Sequence, residues 1–211
     1  MTRGLFITLE GGEGTGKSTQ ALRLTDRLKA SGHDVVLTRE PGGTPQGEAL
    51  RNLLVSGDPG AWSANAEAML NAAARETHVR QVIMPAIAAG KTVISDRFMD
   101  STRVYQGFAG GADMSLIDAL ERAATHGLLP SLTLVFDLAP EVGLARAKAR
   151  GTTNEDRFER KGLPFHAQLR KGFLLIARAD PQRCAVIDAS QSPDDVFSQC
   201  WSRVEEAMQR G

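Results

Sequence analysis

The stretch Gly11-Gly12-Glu13-Gly14-Thr15-Gly16-Lys17-Ser18 has the spacing G-x-x-x-x-G-K-S. Its glycines let the backbone turn so that successive N–H groups point inward at phosphate oxygens. Lys17 brings an ammonium to the β- and γ-phosphates, and the Ser18 hydroxyl is a ligand for Mg²⁺. Thr15 and Thr19 flank the site as further candidate phosphate contacts. The chemistry implied is binding of a nucleoside triphosphate. The motif alone does not say which one, or what becomes of it.

Two other places carry matching chemistry. Thr92-Val93-Ile94-Ser95-Asp96-Arg97 is an apolar run ending in Asp-Arg. A carboxylate there can hold Mg²⁺, directly or through water, and the adjacent guanidinium can clamp a second phosphate. Leu134-Val135-Phe136-Asp137 is a rival for the carboxylate, and the Arg97 neighbour favours Asp96. Thr38-Arg39-Glu40-Pro41-Gly42-Gly43-Thr44 presents Arg39 after another apolar run, and Pro41 with its two glycines reads as a tight loop rather than a helix start. Two arginines beyond the triphosphate point to a second phosphorylated molecule. Further on, a polar segment spans about residues 150–162, hinged by Gly151 and Gly162. It reads as a lid, with Arg150 and Arg157 as the side chains brought to the transferred phosphoryl.

The elements that must position these groups show in the hydrophobic pattern. Leu5 to Leu9, Val35 to Thr38, Thr92 to Ser95, Leu132 to Asp137 and Cys184 to Asp188 are short apolar runs, as expected of strands buried on both faces. Helical patterns separate them: Lys17 to Ser31, Ala64 to Ala89, Ser115 to Thr125, Glu141 to Arg150, Phe165 to Ala179 and Pro193 to Gln209. Gly32 and Gly90 stand where helices end, Ser192-Pro193-Asp194-Asp195 reads as a capped start, and Pro85 kinks or splits the long helix. The alternation predicts an α/β fold with a doubly wound parallel sheet of five strands. Ligands of such sheets sit beyond the carboxyl ends of the strands, which is where the motifs fall.

At 211 residues the chain reads as a single domain, residues 1–211. The 25 Lys+Arg and 25 Asp+Glu cancel, which argues against a nucleic-acid partner. No run is long enough to span a membrane and the N-terminus does not read as a signal peptide, so the expected location is the cytoplasm. Cys184 and Cys200 read as core thiols. His33, His78, His126 and His166 lack metal-like spacing and are expected at the surface or at caps.

Taken together, the chain resembles the bacterial thymidylate kinases. The residues that carry the resemblance are Glu10 to Ser18, Thr38 to Thr44, Ser95-Asp96-Arg97-Phe98 with Asp100-Ser101-Thr102 and Tyr105-Gln106-Gly107, and Pro140 to Leu144 leading into the lid. It runs in order from about Leu5 to Asp188. The resemblance implies a P-loop NTPase fold and an ATP- and Mg²⁺-dependent kinase converting dTMP to dTDP, as a homodimer. It implies that Arg39 and Arg97 hold the acceptor phosphate and that Glu13 faces the acceptor sugar. Tyr105 and Gln106 crowd the sugar and line the base, with Ser101 beside them, and Arg75 bonds the thymine edge. Where family members carry an aromatic that stacks on thymine, four positions before Arg75, this chain has Asn71. Phe98 or Phe108 is then the candidate to supply the ring.

Asn71 keeps open a kinase for another nucleoside monophosphate. A GTPase-type switch lacks its guanine-reading Asn-Lys-x-Asp pattern here, and a binding protein without catalysis has no need of so complete a charge set. Trp62 and Met69 are left between an interface helix and the core. Asp188 to Gln191 is the expected neighbourhood of the adenine.

Overall fold

The computed structural model describes residues 4–149, 151 and 156–210. Five strands form one parallel sheet in the order β2-β3-β1-β4-β5: β1 Phe6–Gly11, β2 Val35–Arg39, β3 Thr92–Asp96, β4 Leu132–Asp137 and β5 Cys184–Asp188. β1 runs past its apolar stretch because Glu10 and Gly11 still pair with Val135 and Phe136 of β4. Strand order reverses around β1, so the crevice expected of a doubly wound sheet opens beyond its carboxyl end.

Period-two alternation sorts the strands' side chains onto two faces. Ile7, Leu9, Ile94, Leu134 and Phe136 pack against α1 (Lys17–Ala30) and α9 (Pro193–Arg210) through Leu24, Leu28, Val196 and Val204. On the opposite face Phe6 and Val93 meet Val79, Ile83 and Phe98, and Val135 and Cys184 meet Leu169 and Phe173 of α8 (Leu163–Ala179). Cys184 and Cys200 therefore lie on opposite faces as buried thiols, each with its pKa pushed up to about 12 by burial.

The long helix is interrupted, as Pro85 requires. α3 (Ala64–His78) passes through a π turn at Val79–Ile83 into α4 (Met84–Ala88). Proline has no N–H for the ladder, and the wide turn stands immediately before it. Gly32 and Gly90 adopt the expected left-handed backbone, and Ser192 and Asp195 form a reciprocal cap on α9.

Two helices lie outside the sequence reading. α2 (Pro45–Val55) starts directly after the Pro41–Gly43 loop, and the Thr44 hydroxyl caps it by accepting the Gly47 N–H at 3.0 Å. A second short helix, α5 (Met99–Thr102), continues as a π turn at Arg103–Phe108. α6 (Met114–Thr125) and α7 (Pro140–Ala149) stand where expected. Among the described residues no helix is long and apolar enough to cross a membrane.

Candidate active site

The phosphate loop joins β1 to α1. Gly14 has φ +67°, and a Cβ there would lie 2.0 Å from the Gly143 carbonyl oxygen of α7. A Cβ at Gly143 would in turn lie 2.4 Å from the Glu13 carbonyl oxygen. Loop and helix thus meet backbone to backbone. Within the loop, Lys17 Nζ donates to Gly12 O at 2.7 Å and to Thr15 Oγ1 at 3.2 Å. Burial and the nearby Arg97 lower the Lys17 ammonium to about pKa 8, against the pull of Asp96 and Glu13. A polyanion entering the loop offsets both costs.

Ser18 Oγ donates to Asp96 Oδ2 at 2.5 Å, bringing hydroxyl and carboxylate together at the end of β3. The rival Asp137 is instead paired with Arg170, whose Nε and Nη2 donate to it at 2.6 and 3.0 Å.

Arg97 is the hub. Its backbone takes φ 73°, an uncommon state for a side chain-bearing residue. Nη1 donates to Gly11 O at 2.9 Å and to Ser101 Oγ at 3.1 Å; Nη2 donates to Glu13 Oε1 at 3.0 Å and to Tyr105 Oη at 2.9 Å. Tyr105 Oη donates to the same Glu13 oxygen at 2.7 Å. For Glu13, burial favours the neutral acid, but Arg97, Lys17 and the Tyr105 bond outweigh it and hold the carboxyl at about pKa 2.

Beneath this hub lies Glu10, whose role shows only in its partners across the fold. Its carboxyl accepts the N–H groups of Phe98 and Ser101 at 2.8 and 3.3 Å and the Ser101 hydroxyl at 2.6 Å. It thereby fixes the loop that turns Arg97 inward. Burial and the neighbouring Asp100 raise Glu10 to about pKa 8, against Ser101, Arg97 and the Phe98 N–H.

Two adjoining clefts open on this hub. The first runs along Gly14 to Thr19 to Asp96, with Arg39 on its rim and Gly151 and Glu159 at its far side. The second lies between Asn71, Ser101, Tyr105, Gln106 and Phe158. Glu13, Arg97, Glu40, Arg51 and Glu159 line both. Arg39 donates to Glu48 Oε2 at 2.9 Å. Arg51 of α2, absent from the sequence reading because its helix was, donates to Pro41 O at 3.1 Å.

Several expectations are corrected. Arg157 does not line the donor cleft. It is fully buried, and four of its N–H groups go to Asp58 O, Leu54 O, Pro59 O and Glu67 Oε1 at 2.6–3.1 Å. It fastens this part of the expected lid segment to Leu54 of α2, to the loop at Asp58 and Pro59, and to Glu67 of α3. Arg150 lies outside the described residues. Arg75 stands behind the wall of the second cleft: Nε donates to Glu40 Oε2 at 2.7 Å, and Nη2 to Phe98 O and Thr102 Oγ1. Glu40 also takes His78 Nδ1 at 2.9 Å, while His78 Nε2 meets Thr38 Oγ1 at 2.7 Å. His78 and His166 are therefore core residues, not surface ones. Phe98 is buried edge-on against Phe6, and Phe108 is largely exposed, so neither lines the second cleft.

A phosphate loop, a serine–aspartate pair and an arginine shared between two clefts define a P-loop phosphotransferase that holds a nucleotide donor beside a second phosphorylated molecule: a nucleoside-monophosphate kinase. The thymidylate kinase family model matches residues 9–200. The chain is 57% identical over 196 residues to a thymidylate kinase of Caulobacter vibrioides, covering 93% of each. It is 52% identical over 204 residues to one of a Synechococcus strain, covering 97% of this chain and 96% of the relative. The crystal structure of thymidylate kinase from Ehrlichia chaffeensis superposes with a TM-score of 0.72 at 35% identity, covering 88% of this chain and 93% of that one. The chain belongs to the thymidylate kinase family. It is a transferase of nucleotide biosynthesis that phosphorylates dTMP with ATP as phosphate donor.

Proposed function

We propose that phosphoryl transfer takes place where the two clefts meet, with the ATP phosphates along the phosphate loop and dTMP in the second cleft. The observation that carries this is the position of Arg97 and Glu13 on both clefts at once. Phosphoryl transfer requires little covalent work from a protein; it needs in-line positioning and positive charge around the equatorial oxygens. Lys17 and the loop N–H groups supply that charge from one side, Arg97 and Arg39 from the other. Glu13, held ionised, accepts from the acceptor sugar, and Tyr105 and Gln106 bound the sugar and base. The lid expected at about residues 150–162 is supported by Gly151 and Glu159 lining the donor cleft and is anchored at Arg157 and Phe158, while Arg150 and residues 152–155 lie outside the described residues. The adenine lies near Asp188 to Gln191, a loop that Arg146 of α7 holds by donating to Ala189 O at 3.1 Å.

The residues present fit Mg²⁺. Ser18 Oγ and Asp96 Oδ2 are hard oxygen donors already together. Among the described residues no cluster of three His, Cys, Asp or Glu could enclose a metal. That suits an ion that keeps its waters and takes phosphate oxygens as ligands. When bound, Mg²⁺ neutralises charge on the β- and γ-phosphates. Asp96→Asn is expected to raise the Mg²⁺ concentration for half-maximal rate roughly tenfold or more, with the dTMP KM little changed. An unchanged Mg²⁺ titration removes Asp96 from that role.

We also propose a homodimer in the cytoplasm. The exposed apolar Leu53, Trp62 and Met69, on and near α2 and α3, support an association face and exclude the core for Trp62 and Met69. The direct test of the function is ADP release with ATP and Mg²⁺, offering dTMP, dUMP, UMP, dCMP, dGMP and dAMP in parallel. Preference for dTMP is expected, and preference for another acceptor overturns the placement of thymine in the second cleft. Arg97→Lys cannot reach the four oxygens that the guanidinium holds. Hydrogen bonds to charged groups contribute about 1.5–3 kcal/mol each. Its kcat/KM for dTMP is therefore expected to fall roughly 10–100-fold.

A further inference from the structure

We propose that Phe158 is a specificity-determining residue of the acceptor cleft, supplying the aromatic wall that Asn71 does not. This rests on dTMP occupying the second cleft. Asn71 and Phe158 line the same cleft. Asn71 turns its amide back along its own helix, donating from Nδ2 to Glu67 O at 2.8 Å. A short polar side chain tied in this way offers a base no ring face.

Phe158 does. Its ring sits edge-on to Tyr105, centroids 5.5 Å apart and planes at 86°. Its backbone is pinned from both sides. Arg157 N–H donates to Val55 O at 3.2 Å, and the Phe158 carbonyl accepts from Lys161 N–H and His166 Nε2, each at 3.1 Å. The Arg157 side chain is buried against Glu67, one helical turn before Asn71. The ring is therefore held by a clamped segment rather than carried on a loose loop, and a pre-ordered ring loses little freedom on binding. Contact with an aromatic ring tolerates any base, because every base has a π face. The methyl of thymine gives dTMP more to bury against that wall than dUMP has.

The test is steady-state kinetics with dTMP and dUMP, and calorimetric binding of dTMP without ATP. The variants are Phe158→Ala, Phe158→Leu, Asn71→Phe/Phe158→Ala and, as a control on the cleft, Arg97→Lys. Phe158→Ala is expected to raise the dTMP KM and Kd about tenfold, narrow the dTMP-over-dUMP preference and leave the ATP KM within twofold. Phe158→Leu keeps the bulk and is expected to remain at least fivefold impaired, which covers the case that the alanine variant does not fold. The double variant, with a ring restored at the other position of the same cleft, is expected to recover dTMP binding to within threefold of the parent. A dTMP KM unchanged in both single variants overturns the proposal, as do leucine at parity with the parent, a parallel rise in the ATP KM, or no rescue in the double. If Arg97→Lys also leaves dTMP binding unchanged, the failure lies in the placement of dTMP rather than in the ring.

Discussion

Lys17→Ala is expected to lower kcat for dTMP about a thousandfold. Removing one preorganised donor from a charge-stabilising site typically costs 10²–10³ in rate, and Lys17 carries a full charge besides. Its ammonium already lies inside the loop, 2.7 Å from Gly12 O, so no rearrangement is needed to meet a phosphate. The dTMP KM stays nearly constant, because Lys17 lines only the donor cleft. The variant also melts at or above the parent temperature near neutral pH. Burial and Arg97 depress the Lys17 pKa from 10.5 to about 8, so the folded state disfavours its charge. That cost is present in full below pH 8 and is relieved as pH rises toward 10.5. Parallel ADP-release kinetics and thermal melts check both halves. A rate loss under tenfold, or a large drop in melting temperature, contradicts the assignment.

Arg157→Met is expected to destabilise the fold by about 3–5 kcal/mol, the cost of leaving one member of a buried pair alone. Glu67 retains Lys161 and Gln106, at 3.3 and 2.8 Å, but loses the 2.6 Å contact to a fully buried guanidinium. Three backbone carbonyls, those of Leu54, Asp58 and Pro59, lose a donor as well. For a chain of this length each kcal/mol shifts Tm by roughly 2–4 °C, so a fall of about 6–20 °C is expected. Adding Glu67→Gln should recover part of it, since no carboxylate is then left behind. Urea unfolding measures the loss, and kcat on the folded variant measures what remains. A stability change under 1 kcal/mol with a hundredfold loss of kcat would return Arg157 to the catalytic lid.

The five strands and the phosphate loop were legible because each is a local signal. β1, β3 and β4 are buried on both faces and read as apolar runs, and the loop's chemistry is its own backbone. α2 was not legible, because Pro41, Gly42 and Gly43 dominate its approach, and its start depends on a Thr44 cap that reads equally well as loop. The roles of Arg157, Arg75 and His78 turn on partners far away in sequence: Glu67 for the first, Glu40 for the other two. An arginine that clamps a phosphate and one that anchors a core use the same guanidinium, and only burial separates them. Thr44 followed by Pro45, a capping hydroxyl before a proline at the first helical position, was a signal that could have revealed α2, and with it Arg51.

The mutual approach of Gly14 and Gly143 limits how this kinase can be varied. Each position is blocked by the other's neighbourhood of main chain, by Gly143 O in one direction and Glu13 O in the other. A main-chain atom cannot be trimmed. A larger residue at one position therefore has no matching smaller residue at the other, as both already carry the least there is. The two sites accept no paired exchange of the kind that lets packed side chains drift together. Room for substitution lies instead along the cleft walls, where side chains such as Asn71 and Phe158 can be exchanged without moving main chain.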